Sequence, residues 1–358
     1  MRLGLVRQRY TPFGGAERFV ERAIAALAAR GVRISVYTRA WPRHAAAAAL
    51  EPVICDPFYA GRLWRDASFA HAVRAALAQD RPDIVQTHER IAGCDIFRAG
   101  DGVHRVWLEE RRRTGNAAER LAIAADAYHR YILAAEARVF ADPSLKAVIC
   151  ISEMVRNDIR AHFAVPADRL HVIYNAVDPE AFGPQVRATR NATRAGLGLR
   201  EGDVAFLLLG SGYARKGVPT AIRALARLPG QARLVVVGRD KSQATYETIA
   251  RRAGVAGRVV FAGPQSDPRP WLGAADAFVL PTLYDPLSNA VLEALACGLP
   301  VVTSHRCGAG ELVVAHAAGW TCDSVDDAAF AERMRALLDP AERADRANRA
   351  RDSVAALT

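Results

Sequence analysis

Pro281-Thr-Leu-Tyr-Asp-Pro-Leu-Ser-Asn-Ala-Val-Leu-Glu-Ala-Leu-Ala-Cys-Gly-Leu-Pro-Val-Val302 carries the pattern that defines the architecture of this chain. It begins where the apolar run Ala277 to Leu280 ends, and that run has the length of a buried strand. From Ser288 to Ala296 the apolar positions recur at helical spacing, and Gly298 and Pro300 stop the helix before a further apolar run, Val301 to Thr303. Strand, loop, helix and strand in quick succession are the unit of a parallel α/β sheet. Asp285 then falls in the loop and Glu293 inside the helix. A helix start offers unpaired N–H groups and the positive end of a dipole, which suits a diphosphate. Acids on its flanks can accept hydrogen bonds from sugar hydroxyls, so the expectation is a nucleotide-sugar site with Leu287 and Ser288 among its donor-binding residues.

Working outward, the 358 residues suffice for about two ordinary domains. Hydrophobic residues make up 51% and charged ones 24%, a globular balance without wholesale disorder. No apolar run reaches the roughly 18 residues a membrane span needs. Met1-Arg2 is followed by only Leu-Gly-Leu-Val, too short for the core of a signal peptide, so a cytoplasmic location is expected. The six cysteines are widely spaced without a Cys-x-x-Cys pair, which argues against a zinc site or a disulfide framework. A net charge of +10 calls for an anionic partner, and nucleic acid, anionic lipid and nucleotide phosphate all qualify.

Strand-like and helical segments alternate along the whole chain. Strands are expected over Arg2 to Val6, Arg33 to Tyr37, Asp83 to Thr87, Ala147 to Ile151 and His171 to Ile173. Helices are expected over Gly15 to Ala29, Ala67 to Ala78, Val106 to Phe140 and Glu153 to His162. The alternation resumes with strands Val204 to Leu209, Leu234 to Val237, Val259 to Phe261, Ala277 to Leu280 and Val301 to Thr303. This reads as two Rossmann-like, doubly wound domains. The expected boundaries are 1–178, a Gly- and Pro-containing linker over 179–202, a second domain over 203–340, and a C-terminal helix over 341–358 packing back toward the first domain.

Three loops carry chemistry. After the first strand, Gly14 and Gly15 open a helix and let a ligand approach the backbone, with Glu17 beside them on the acceptor side. Gly210-Ser-Gly-Tyr-Ala-Arg-Lys-Gly217 is a near miss for a phosphate-binding P-loop. Gly212 and Gly217 have the right separation, but Val218-Pro219 replaces the Lys and Ser/Thr that such a loop requires. What remains is a turn presenting Arg215 and Lys216. Gln265 sits in a turn after Phe261 whose backbone could read a base edge. Asp101, flanked by glycines, and His104 lie beyond a strand end in the first half. Asp101 also has an alternative reading as a cap of the following helix, and His88 reads as a loop residue. The region 103–140 mixes cations and aromatics (Arg105, Trp107, Arg111, Arg112, Arg113, Arg120, Tyr128, Arg130, Tyr131, Arg138) with five acids. It reads either as a docking face for an anionic membrane surface or as a salt-bridged helical face.

Taken in order along the chain, these features resemble the retaining glycosyltransferases of family 4, which have the GT-B fold. The resemblance rests on the Gly-Gly loop, Asn175-Ala-Val-Asp178, the Arg215-Lys216 loop and the acid-x7-acid pair Asp285 and Glu293. It implies two domains facing a central cleft, the first binding the acceptor and the second the nucleotide sugar. Arg215, Lys216 and the helix start would neutralise the donor diphosphate without a metal or other cofactor. Gln265 would hold the nucleobase, Glu293 the ribose, Asp285 the sugar hydroxyls, and Asp101 would steady the reacting sugar. Within the family the loops look most like those of lipopolysaccharide-core glucosyltransferases, which implies a UDP-sugar donor, a glycolipid or saccharide acceptor and work at the inner membrane face. The chain departs at Asp285, where the family usually has Glu, and at Leu287 and Ser288. Alternatives are a sugar-nucleotide epimerase on the same fold and a transferase for another polysaccharide. A nucleic-acid-binding protein is a distant third, because no recognition helix, zinc motif or stacked aromatics support it.

Overall fold

The computed structural model describes residues 1–9, 24, 26–41 and 50–357. The chain forms two compact units, Met1–Tyr174 and Asn175–Thr358. Each is built on a sheet whose pairings among the described residues are all parallel.

In the first unit, β1 (Arg2–Val6), β2 (Arg33–Thr38), β3 (Leu50–Ile54), β4 (Ile84–Thr87), β5 (Ile96–Ala99), β6 (Ala147–Cys150) and β7 (Leu170–Val172) pair in the order β3-β2-β1-β4-β5-β6-β7. Alternation along β1 divides its side chains between two cores. Leu3 and Leu5 pack with Ile34, Val36 and Ile24 on one face, while Val6 packs with Val85 and with Phe69 and Val73 of the Gly61–Gln79 helix on the other. The chain winds from β1 to β3 on one side and then crosses back to lay β4 against β1. The carboxyl ends of β1 and β4 therefore flank the topological switch point, where open α/β sheets bind their ligands.

The second unit has β8 (Val204–Leu209), β9 (Ala232–Val237), β10 (Val259–Gly263), β11 (Ala277–Leu280), β12 (Val301–Ser304) and β13 (Gly319–Cys322) in the order β10-β9-β8-β11-β12-β13. Here the switch point lies between β8 and β11. All four residues of β11 are buried, as befits a strand covered on both faces.

Several elements differ from expectation. β3, β5 and β13 lack a strong sequence signal. β3 is an edge strand interrupted by Glu51 and Pro52, β5 carries Arg98 among four residues, and β13 is a short edge beginning with glycine. The long helical region expected over 106–140 is three helices, His104–Thr114, Ala117–Ala125 and Ala127–Phe140. The first break falls at Asn116, which forms a capping box with Glu119, and the second at Asp126, whose side chain accepts from the Tyr128 N–H. Residues 179–202, read as a linker, contain the 3₁₀ turn Pro184–Thr189 and the helix Arg190–Gly196. Both are fastened to the second unit: Arg190 Nη1 donates to the carbonyls of Gly273, Ala274 and Ala275, and Gly273 leaves no room for a Cβ beneath the Val186 carbonyl. The C-terminal helix Pro340–Asp352 packs against the Asn289–Ala296 helix of the same unit, and the Val177 N–H donates to the Leu357 carbonyl at 2.7 Å. No helix among the described residues is long and apolar enough to cross a membrane.

Candidate active site

The glycine loop after β8 is bent by backbone conformations that side chains disfavour. Gly210, Gly212 and Gly217 all have positive φ, at 153°, 76° and 75°. At Gly217 a Cβ would stand 1.9 Å from the Pro281 carbonyl oxygen, so the loop can rest on the exit of β11 only because this residue has no side chain. Between Gly212 and Gly217 the residues Tyr213–Lys216 make one helical turn. Tyr213 fixes that turn from inside, with its hydroxyl donating to the Gly238 carbonyl at 3.0 Å and its N–H to Asp240 Oδ2 at 2.7 Å. From the other side, the Arg215 carbonyl accepts from the Leu283 N–H at 2.8 Å and from Thr282 Oγ1 at 3.0 Å. The loops leaving β8 and β11 are thus stitched together across the switch point.

Asp285 is held equally firmly. Its N–H donates to the Arg306 carbonyl, and its own carbonyl accepts from the Gly308 N–H. Lys216 Nζ reaches Asp285 Oδ2 at 2.6 Å, both side chains being 10% exposed, while the 40%-exposed Arg215 stands 3.8 Å from the same oxygen. The Asn289–Ala296 helix starts four residues further on, capped by the backbone of Ser288 with no side-chain bond. Ser288 is 3% exposed and its Oγ has no hydrogen-bond partner, an unusual state for a buried hydroxyl. Leu287 and Glu293 are also buried. Asn289 Oδ1 accepts from Asn175 Nδ2 at 2.7 Å, which ties the helix start to the first residue of the unit. Gln265 lies exposed after β10, its amide donating to the Ala262 carbonyl at 2.8 Å.

In the first unit, Asp101 sits in the turn after β5 with its side chain 69% exposed and 3.9 Å from Arg90 Nη1. It does not cap the following helix, whose N-cap is Val103. His104 opens that helix. Its N–H donates to Glu136 Oε1 at 2.9 Å and its ring lies 3.1 Å from His129 Nδ1. Burial first, then the Arg90 guanidinium and His129, push the His104 imidazole down to about 3. Burial likewise holds His88 well below the usual imidazole range, reinforced by Arg98 and Arg7. Gly14, Gly15 and Glu17 lie outside the described residues. Among the described residues no group of three or more His, Cys, Asp or Glu side chains is arranged to hold a metal ion.

The sequence pattern of Glycosyltransferase Family 4 matches residues 13–181, and that of Glycosyl transferases group 1 matches residues 189–353. The chain belongs to this family of glycosyltransferases. It is 28% identical over 305 residues to the lipopolysaccharide glucosyltransferase WaaG of Escherichia coli K12, covering 84% of this chain and 79% of that protein. It is also 28% identical over 358 residues to a D-inositol 3-phosphate glycosyltransferase of Xylanimonas cellulosilytica, covering 91% and 83%. The crystal structure of WaaG, a glycosyltransferase involved in lipopolysaccharide biosynthesis, superposes with a TM-score of 0.83 at 25% identity, over 99% of this chain and 95% of that one. The fold is accordingly GT-B.

The structure of this glycosyltransferase brings Arg215, Lys216, Asp285, Leu287, Ser288 and Glu293 onto two adjoining loops and one helix of the second unit. Asp101 and His104 belong to the first unit. Sequence reading missed the anchors. Tyr213 and Asp240 look like ordinary loop residues until the fold sets them side by side, and the orphaned Ser288 hydroxyl has no sequence signature. In region 103–140, many of the charges are internally engaged. Arg113 pairs with Glu110, Arg120 Nε donates to the Arg112 and Gly115 carbonyls, and buried Glu136 pairs with Arg90.

Proposed function

We propose that this glycosyltransferase moves glucose from UDP-glucose to a lipopolysaccharide core or related glycolipid acceptor, with retention at the anomeric carbon and without a metal. The observation that carries the reading is the Lys216–Asp285 contact at 2.6 Å, with Arg215 beside it, at the β8/β11 switch point and next to a helix start with an unsatisfied hydroxyl. Two fixed cations and a helix N-terminus suit a departing diphosphate, whose charge grows as the anomeric C–O bond breaks. The acceptor oxygen forms the new bond to the same carbon, and its proton passes to the leaving diphosphate oxygen. On this reading Asp285 exchanges its lysine contact for sugar hydroxyls when the donor enters, Glu293 binds the ribose and Gln265 the base. Asp101 steadies the positive charge that develops on the sugar. The glucosyl group and the acceptor class follow the name of the WaaG relative. Attachment to an anionic membrane surface would use the exposed cations Arg105, Arg112 and Arg130 with the exposed Leu121.

The test is transfer by the full chain from radiolabelled UDP-glucose to a purified core oligosaccharide, with and without EDTA, beside ADP- and GDP-glucose. Labelled oligosaccharide formed from UDP-glucose in the presence of EDTA is the expected product. An epimerised nucleotide with no labelled acceptor, or activity that EDTA abolishes, would refute the proposal.

A further inference from the structure

On the flank of the first unit, a pocket of about 240 Å³ opens between the Gly61–Gln79 and Ala127–Phe140 helices. Each helix leads from the carboxyl end of one strand back toward the amino end of the next. Arg74 and Arg138, in their later turns, therefore lie down the side of the sheet and away from its carboxyl edge. This is the face on which Phe69 and Val73 pack with Val6 and Val85. Ile24 and Leu27, from the connection between β1 and β2, pack with Leu3 and Leu5 on the opposite face. Ala70, Ala92 and Ala135 line the pocket, and their short side chains leave it hollow.

Its charge is one-sided. Among the described residues the lining holds the guanidiniums of Arg74, Arg90 and Arg138 and no carboxylate. Arg90 is engaged, giving Nε to buried Glu136 at 3.0 Å and Nη2 to the Gly102 carbonyl at 3.2 Å. Arg74 and Arg138 have neither a hydrogen bond nor an ion pair with any described residue, and the Tyr131 hydroxyl has no described partner either. The three groups share one space: burial and then Asp66 push the Tyr131 phenol up, while Arg138 and Arg74 pull it back. Asp66 itself is taken by Gln8, Arg65 and Tyr128. Both arginines are exposed, so a ligand can reach them.

Two like charges on the walls of one hollow repel each other, and an anion between them turns that repulsion into attraction. Guanidinium forks donate in pairs to phosphate oxygens, which makes a tetrahedral oxyanion the best match. The volume is several times the roughly 30 Å³ of one water, which leaves room for the carbon that carries the phosphate.

We propose that this pocket is an anion site that takes a phosphate monoester, held between Arg74 and Arg138 with the Tyr131 hydroxyl as a third donor. It is separate from the nucleotide-sugar site of the second unit and does not rest on the reading of that site. The phosphate of a soluble ester and that of a lipid headgroup share this chemistry, and the test separates them.

The experiment uses the full chain at neutral pH, where a phosphate monoester is largely dianionic. Saturating UDP is present to fill the Arg215–Lys216 loop, and its own binding is measured first as a separate report on the donor site. Calorimetric titration with inorganic phosphate and glycerol 3-phosphate is run beside co-sedimentation with phosphatidylcholine vesicles, with and without phosphatidic acid. Saturable binding of at least one phosphate probe is expected, and Arg74→Gln and Arg138→Gln should each weaken it about tenfold, the scale of one charge-assisted contact. Arg30→Gln, an exposed cation outside the pocket, should bind like the wild type. Melting curves by circular dichroism establish that the variants are folded. Arginine-dependent binding of the soluble phosphates assigns a soluble ester, and arginine-dependent binding of the phosphatidic acid vesicles alone assigns a lipid headgroup. Absence of saturable binding by every probe, folded Arg74 and Arg138 variants that bind like the wild type, or an equal loss in Arg30→Gln would overturn the site.

Discussion

Replacing Lys216 by alanine separates what the Lys216–Asp285 pair does for stability from what it does for transfer. Both side chains are 10% exposed, so the variant strands a nearly buried carboxylate. Removing one partner of a buried pair costs about 3–5 kcal/mol, because the remaining charge has lost its compensation without regaining water. Arg215, 3.8 Å from the same oxygen, offsets part of that loss and places the expected cost at the lower end, about 3 kcal/mol. For a unit of this size that is a fall of roughly 6–12 °C in Tm. Transfer should fall further than folding does, by about 10²–10³-fold, the usual effect of deleting one preorganised charge at a reacting centre. A double variant, Lys216→Met with Asp285→Leu, removes both charges and should recover most of the lost stability while remaining inactive. Thermal unfolding and initial transfer rates at saturating donor are the two measurements. A single variant that melts within about 2 °C of wild type, or a double variant no more stable than the single, would show that the pair is not the buried ionic contact described. Near-normal transfer in the single variant would remove Lys216 from the reaction.

Ser288→Ala should leave Tm unchanged or slightly raised, unlike the typical loss of about 1 kcal/mol at a helix N-cap, because its hydroxyl makes no bond to lose. UDP-glucose affinity measured by calorimetry should nevertheless weaken several-fold, and a normal affinity would exclude the hydroxyl from the donor site. Gly217→Ala should severely reduce folded yield. A Cβ there meets the Pro281 carbonyl at 1.9 Å and φ is 75°, so a variant melting within a few degrees of wild type would contradict the loop geometry. Acid should destabilise the first unit through its buried imidazoles. Their folded pKa values lie below the unfolded value of about 6.5. Above that pH neither state is protonated and they contribute nothing. As pH falls from about 6.5 toward about 3 the unfolded chain takes up protons the fold refuses, at up to about 1.36 kcal/mol per pH unit for each histidine. Urea unfolding of His104→Phe between pH 7 and 5 should give a shallower pH slope than wild type, and an identical slope would assign the sensitivity elsewhere.

How much of this was legible in the chain varied with the kind of physics involved. The central strands were readable because burial on both faces demands unbroken apolar runs, as in Val204–Leu209 and Ala277–Leu280. The edge strands β3 and β13 were not, since an edge needs only half a hydrophobic face and tolerates Pro52 or Gly319. The helix breaks at Asn116 and Asp126 had capping residues on view, but the helical periodicity ran through them. Residues 179–202 carried loop-like composition and yet fold as part of the second unit, because Arg190 and Arg194 reach Asp276 and the carbonyls around it, partners some 80 positions away.

By itself the sequence determined the alternating α/β plan, the glycine loop, the pairing of Asp285 with Glu293 around a helix start, and hence the family. Those are local matters of periodicity, glycine placement and spacing, and they survive any detail of packing. Packing between distant segments is what buries Lys216 against Asp285 and leaves the Ser288 hydroxyl without a partner. It alone sets Arg74 and Arg138 on the walls of one pocket. The physical reason is that burial and hydrogen-bond partnership are properties of contacts between distant segments. Residues 74 and 138 share that pocket only because strand order and helix packing lay two separate helices side by side on one face of a sheet.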